Sequence, residues 1–351
     1  MLPITKRASV CNGDASLCNK LYSNVTYIGT HDSYAIGTLS QASSGYNQEQ
    51  TITQQLNDGV RLLQIQVHTT SNSSSTGSGL DLCHTSCSLV NGGSLESYLS
   101  TVKSWMDSNA NEVVTLLMVN SDDQAVSKYA TAFESTGISS YAYAPSSGAA
   151  VSKTSWPTLG SMIDAGKRLV VFIDNSADVS SVDYILPEFQ NVWENPYNQD
   201  SLPFNCSIDR INTGSDSSQL MYLVNHYLDS SFDLFGTTVY IPNTAEIATT
   251  NGYDSILQDA NNCAASHSSY PTYVLTDYYD QGNGSVFQAA AAMNGIEYTA
   301  KAIGNYSSTY TGKKSGSSTT SSSSSSAASN LAFASSAGMI ALACLATAYL
   351  V

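Results

Sequence analysis

NVTYIGTHDSYAIG, residues 24–37, runs from an apolar stretch, Val25 to Ile28, into Thr30, His31, Asp32 and Ser33. A short apolar run that stops on residues able to carry protons is the pattern of a buried strand delivering chemistry at its end. Five more runs repeat it. RLLQIQV (61–67) stops at His68, VVTLLMV (113–119) at Asn120, and RLVVFI (168–173) at Asp174. LMYLV (220–224) stops at Asn225 and His226, and YVLT (273–276) at Asp277. Short runs rich in Val, Leu and Ile suit strands buried on both faces, as in a parallel sheet. Helix-like segments lie between them, among them SLESYLSTVKSWMDSN (94–109) and SVDYILPEFQNVWE (181–194). Strands alternating with helices mean α/β. An unbroken unit from 20 to 312 fits a single-domain TIM, or (β/α)8, barrel, whose chemistry sits at the C-terminal ends of the strands.

Composition narrows the function classes. Hydrophobic residues make up 42% of the 351-residue chain, enough for a large core, whereas charged residues make up 12%, about half the usual share. Ser, Thr, Asn and 22 Tyr take their place, a neutral polar surface of the kind secreted glycoproteins carry. A net charge of −15 argues against nucleic acid, whose phosphates need a basic face, and gives no attraction to an anionic membrane. No glycine-rich phosphate loop appears, so no nucleotide cofactor is expected.

The ends read differently from the middle. Residues 331–351 are apolar and uncharged, and 313–330 form a Ser/Thr-rich stalk that cannot bury a core. Together they make the pattern of a GPI-attachment signal, which favours an extracellular, surface-anchored protein over one held by a transmembrane helix. Cleavage there removes Cys344 and leaves six cysteines, an even number suited to an oxidising compartment. Local pairing suggests Cys11–Cys18 and Cys83–Cys87. Cys206–Cys263 then closes the longest loop, worth ~4 kcal/mol on a chain-entropy estimate. Sequons at Asn24, Asn72, Asn205, Asn283 and Asn305 agree with secretion. Residues 1–19, an N-terminal arm, contain no apolar leader segment, and Lys6-Arg7 offers a processing site.

His84 lies between Cys83 and Cys87, in a loop that a disulfide would hold rigid. With His31 it forms a pair suited to general acid–base work: one imidazole takes a proton from a nucleophile and the other protonates the leaving oxygen. Asp277 is placed to hold one imidazole in its working tautomer. Zinc at Cys83, His84 and Cys87 is disfavoured, because no second Cys/His pair sits at ligand spacing. A barrel glycosidase would need two convergent carboxylates, and Asp174 and Glu194 lack a matching context.

YIGTHDSY, GVRLLQIQV and LCHTSC, with NEVVTLLMVN, WPTLGSMIDAGKRLVVFID and YLVNHYLD, resemble the X-domain of phosphatidylinositol-specific phospholipases C. The likeness covers roughly residues 20–300 and is nearest to fungal surface members of the PLC-like phosphodiesterase superfamily. It implies a distorted (β/α)8 barrel and phosphodiester cleavage. His31 would be the general base and His84 the general acid. Asp32 would be the acidic residue beside the first histidine, and Asp277 the carboxylate supporting it.

One departure bears on activity. Gln64, Gln66 and His68 share one strand face, and the family's positions matching the two glutamines carry acidic calcium ligands or, in metal-independent members, an arginine. Glutamine does neither job. Of the four arginines, Arg210 is expected to contact phosphate or substrate, because Arg61 and Arg168 start strands and Arg7 lies in the arm. His68, Asn120 and His226 complete the expected substrate pocket. No cofactor is called for, and calcium or magnesium is left open. The expected function is a phosphoric diester hydrolase acting on a phosphoinositide headgroup or related diester. The alternative is a surface protein that keeps the barrel and binds without turnover.

Overall fold

The structure, a computed structural model, describes residues 7–70, 77–234 and 236–304. The stalk and anchor signal expected at 313–330 and 331–351, with Asn72 and Asn305, lie outside them. Eight parallel strands make the frame: β1 (Tyr27–Thr30), β2 (Leu62–Thr69), β3 (Val114–Asn120), β4 (Leu169–Ile173), β5 (Ile185–Pro187), β6 (Val192–Glu194), β7 (Met221–Asn225) and β8 (Tyr273–Thr276). Their order is β5-β4-β3-β2-β1-β8-β7-β6. The sheet curls into a distorted TIM barrel that stays open between β5 and β6.

Alternation along each strand separates two cores. Outward residues such as Ile28, Leu63, Ile65, Leu116, Met118, Val171 and Val274 pack under the surrounding helices. Inward residues such as Tyr27, Leu62, Leu117, Phe172, Leu223 and Leu275 fill the barrel with Tyr22 and Trp156. Gly29 keeps that filling close: a Cβ there would lie 2.7 Å from Leu62 and 3.0 Å from Leu275. Cys11, Leu17 and Cys18 belong to the same interior cluster, so described residues of the N-terminal arm close the barrel's lower end.

Helix Leu95–Ser108 shows why the helical layer forms. Leu95, Tyr98, Leu99, Val102, Trp105 and Met106 recur at helical spacing and are all buried, and the Ser94 hydroxyl accepts from the Ser97 amide. Each buried apolar side chain contributes about 1.5–3 kcal/mol, against ~1 kcal/mol for the cap. Burial therefore dominates. The segment 181–194, expected to be a helix, is instead β5, a turn of 3-10 helix (Glu188–Gln190) and β6. Pro187 has no N–H to give a helix interior, and the buried run Ile185–Leu186 is long enough only for a short strand.

Two antiparallel additions shape the mouth. β2 outruns its neighbours, and Leu80–His84 pairs back along it with Val67 opposite Leu82 and His68 opposite Asp81. A second hairpin, Asp229–Leu234 with Thr237–Pro242, follows β7. Cys11–Cys18, Cys83–Cys87 and Cys206–Cys263 are disulfide-bonded.

Candidate active site

His31 stands on the inward face just past β1, and the returning strand sets His84 opposite it, with ring centroids 6.4 Å apart. Each ring is held from outside the site. The Nδ1 of His31 donates to Asp277 Oδ1 at 2.9 Å, and that oxygen also accepts from the Asn47 amide at 3.1 Å. The Nδ1 of His84 donates to the Gly45 carbonyl at 2.6 Å. Gly45 caps a 3-10 turn with φ of +87°, and a Cβ there would press on His84 Nδ1 at 3.1 Å. Both Nε2 atoms are thereby turned inward. They converge on Asp32 Oδ2, at 3.8 Å from His31 and 3.5 Å from His84.

Asp32 is buried with φ of +39°, a conformation that L residues rarely adopt and that surrounding bonds must enforce. Gln64 supplies one: its Oε1 accepts from the Asp32 amide at 2.6 Å, and its carbonyl accepts from the Ser33 amide. Gln66 does the same across the site, accepting from the Thr85 amide beside His84 at 2.6 Å. The two glutamines thus brace the loops that carry both histidines. Gln48 donates to the carbonyls of His31 and Thr276, tying the ends of β1 and β8 together.

Electrostatics favour a charged His31. Burial opposes its cation, but Asp277, Asp32 and Asp229 outweigh it and lift the imidazole to about 9. Asp229 itself is lifted to about 7 by burial and by Asp277. Tyr227 lies flat on His31, with centroids 4.4 Å apart and planes 3° from parallel.

Tyr227 also connects the histidines to Arg210. Its hydroxyl donates to Asn225, and the Asn225 amide reaches Glu194. Buried Glu194 accepts from Arg210 Nε at 3.0 Å and from its Nη2. The Arg210 guanidinium lies over the rings of Tyr197, at 4.8 Å, and Phe189, at 5.4 Å. Its partner is Glu194. Arg61 and Arg168 lie at the strand starts, bonded to Glu112 and to the carbonyls of Met106 and Asn109.

Two expected pocket residues stand elsewhere, and a third, His68, has a carboxylate partner. His226 is fully buried behind the sheet, its Nδ1 on Asp259 at 2.7 Å and its Nε2 on the Thr250 carbonyl, so it serves the outer core. Asn120 also faces outward, bonded to Gln124, Asn175 and Tyr129, and shapes a loop. His68 does face inward but pairs with Asp122 at 3.1 Å, toward the β3 side. Asn47, Gln48, Tyr227 and Asp229 were not expected at all. Tyr227 had a readable signal: in LVNHY, alternation that points Leu223 inward also points Asn225 and Tyr227 inward and His226 out.

Among the described residues no group of His, Cys, Asp or Glu is arranged to hold a metal ion, and no helix is long and apolar enough to cross a membrane.

The family model for the PI-PLC X domain (PI-PLC X 1) matches residues 17–294. Two relatives come from Arthroderma benhamiae. An uncharacterized secreted protein is 38% identical, over 85% of this chain and 67% of that one. A PI-PLC X domain-containing protein 1 is 37% identical, over 83% of this chain and 92% of its own. Among solved structures, the phosphatidylinositol-specific phospholipase C of Listeria monocytogenes superposes with a TM-score of 0.50 at 14% identity, covering 78% of this chain and 94% of that one. A pentafluoro-Phe-containing enzyme of the same name from Staphylococcus aureus gives 0.50 and 14%, covering 80% and 94%. These last two likenesses concern the fold.

Proposed function

The chain belongs to the PI-PLC X domain family, and from that premise we propose that it cleaves a phosphodiester of an inositol-lipid type by histidine acid–base chemistry. The observation that carries this is the convergence of two outward-anchored imidazoles on Asp32. His31 Nε2 takes the proton from the attacking hydroxyl as its oxygen bonds to phosphorus. His84 Nε2 returns a proton to the leaving alkoxide as the second P–O bond breaks. Asp277 fixes the His31 tautomer and supports the imidazolium that forms. Arg210 and the amides of Gln64 and Gln66 are the groups on hand for the phosphate's charge and the headgroup's hydroxyls. The reading extends to an extracellular location, by analogy with the secreted relative, and to membrane attachment through a GPI anchor signalled at 331–351.

The test is hydrolysis of phosphatidylinositol and of a soluble inositol phosphodiester by the purified protein, with chelator and with added calcium. Turnover in chelator supports the reading. Turnover that needs calcium removes its metal-free form. Silence on both favours the alternative of binding without cleavage, for which the neutral side chains at 64 and 66 speak.

Two further expectations follow. In the free protein His31 must lose its proton to act as base while His84 keeps one to act as acid, so kcat/KM should follow a bell in pH, with the His31 imidazole, lifted to about 9, setting one limb. Asp277→Asn should move that limb down by more than one unit and lower the plateau by about 10² or more. A pH–rate profile in which the variant's limb stays put would remove Asp277 from this role. Stability follows the same group. Because the folded value lies above the unfolded ~6.5, the His31 contribution is complete below about 6.5 and is lost as pH rises through 9.

The Cys83–Cys87 bridge should matter through His84 alone. Cys83→Ser with Cys87→Ser is expected to lower kcat about tenfold or more while leaving far-UV circular dichroism unchanged, since misplacing a catalytic group by an ångström costs on the order of 10²-fold. Full activity in the double variant would show that the loop positions His84 without the bridge.

A further inference from the structure

At the barrel's lower end, away from His31, lies a cavity of about 450 Å³ lined by Ser23, Asn24, Thr26, Lys153, Tyr270 and Asn294 among others. Its size falls in the range of small-molecule sites, but its walls differ from a typical apolar pocket. They are rich in hydroxyls and amides and carry two lysines, Lys153 and Lys20, the latter with its Nζ donating to the Asn294 carbonyl at 2.5 Å. One aromatic ring is offered: Tyr270 is 41% exposed, with its hydroxyl donating to Asn261 Oδ1 at 3.0 Å. Hydroxyl acceptors beside an exposed ring suit a sugar: the Ser23 and Thr26 hydroxyls donate to the Lys153 and Pro271 carbonyls and keep lone pairs to accept from it, while the Asn294 amide is engaged with the Thr26 backbone. The sugar's hydroxyls take hydrogen bonds, and its C–H face packs on the aromatic surface.

Asn24 stands on the cavity wall. It is exposed, ends the 3-10 turn Tyr22–Asn24 and opens the sequon Asn24-Val25-Thr26, an acceptor for N-glycosylation. Two other sequon asparagines are described. Asn205 accepts from the Ser207 amide, and Asn283 sits in a turn with φ of +54°. Neither lines this cavity.

We propose that Asn24 carries an N-linked glycan whose first sugar seats in this cavity against Tyr270. The bond formed joins Asn24 Nδ2 to C1 of an N-acetylhexosamine. The bond broken is that C1 to the pyrophosphate oxygen of a lipid-linked oligosaccharide donor, and Nδ2 gives up one proton. The seated sugar joins the segment leading into β1 to the segment leading into β8, and so stabilises the barrel's lower end. The site's mouth, at the other end of the strands, stays clear.

The test uses the full chain secreted from a eukaryotic host behind a heterologous leader, with glycopeptide mass and thermal denaturation as readouts. The Asn24 peptide is expected to carry the glycan. An endoglycosidase that leaves one sugar should leave Tm unchanged, whereas a peptide N-glycosidase, which releases the whole glycan from the folded protein and leaves aspartate at position 24, should lower Tm by a few degrees, beyond the change that Asn24→Asp makes in unglycosylated protein. Tyr270→Ala should lower Tm in the glycosylated protein and have little effect after complete stripping. An unmodified Asn24 overturns the proposal. So does a Tyr270→Ala effect of equal size with and without the sugar, or a Tm indifferent to complete stripping. Because sugar is removed from folded protein, the stripping outcomes do not depend on a variant's ability to fold.

Discussion

His31→Ala and His84→Ala are each expected to lower kcat on an inositol phosphodiester by at least about 10²–10⁴-fold, the range for a single acid–base role. The double variant should be little worse than the more damaged single one, because the groups act as a unit and their losses do not add. The distances make the unit. Both Nε2 atoms lie within 4 Å of Asp32 Oδ2, so the two rings face one shared carboxylate. The two variants should differ in one respect. A substrate with a good leaving group, such as a nitrophenolate, needs no proton delivered to it, so His84→Ala should recover much of its loss on that substrate while His31→Ala should not. Equal losses on both substrates would end the assignment of base and acid. Thermal denaturation guards the comparison, since both side chains are about one-fifth exposed and neither fills a core.

The second large effect concerns phosphate charge. Arg210→Gln is expected to lower kcat/KM by about 10³-fold, at the lower end of what a guanidinium aimed at a transferring phosphoryl supplies. Its salt bridge complicates the reading. Glu194 is buried, so losing its partner leaves a charge without compensation, a defect typically worth 3–5 kcal/mol. Arg210→Gln with Glu194→Gln removes both charges and restores neutrality. If the double variant recovers stability but not turnover, Arg210 serves the substrate. If both return together, the arginine serves only Glu194. The converse test is Gln66→Arg, which places a cation on the inward strand face beside His84 at the cost of one bond to the Thr85 amide. A gain in rate there would identify missing charge as the limit on this site.

Six of the eight barrel strands were legible as apolar runs ending on polar residues, because burial on both faces writes itself into sequence as continuous hydrophobicity. β5 and β6 were not. Three residues each, split by Pro187 and a single turn, they carry too little pattern to separate from a helix. His31, Asp32, His84 and Asp277 could be singled out because local signals mark them: a strand end, a neighbouring carboxylate, a disulfide bracket. Asn47, Asp229 and the Arg210–Glu194 pair depend on chain segments brought together only by the closed fold. His226 and Asn120 were misplaced for a simpler reason. Being at a strand's end says nothing of which face a side chain takes, and a one-residue step reverses it.

An incomplete barrel has two unfinished borders, and unpaired borders recruit strands from other molecules. Here both are already occupied. On β5, Pro187 offers no amide, and its carbonyl accepts from the Asn191 side chain. On β6, the Glu194 amide donates to the Arg210 carbonyl, while the Glu194 carbonyl accepts from the amides of Asp209 and Arg210. The seam that leaves the cylinder open gives a foreign strand little ladder to join, so the gap does not become an invitation to polymerise.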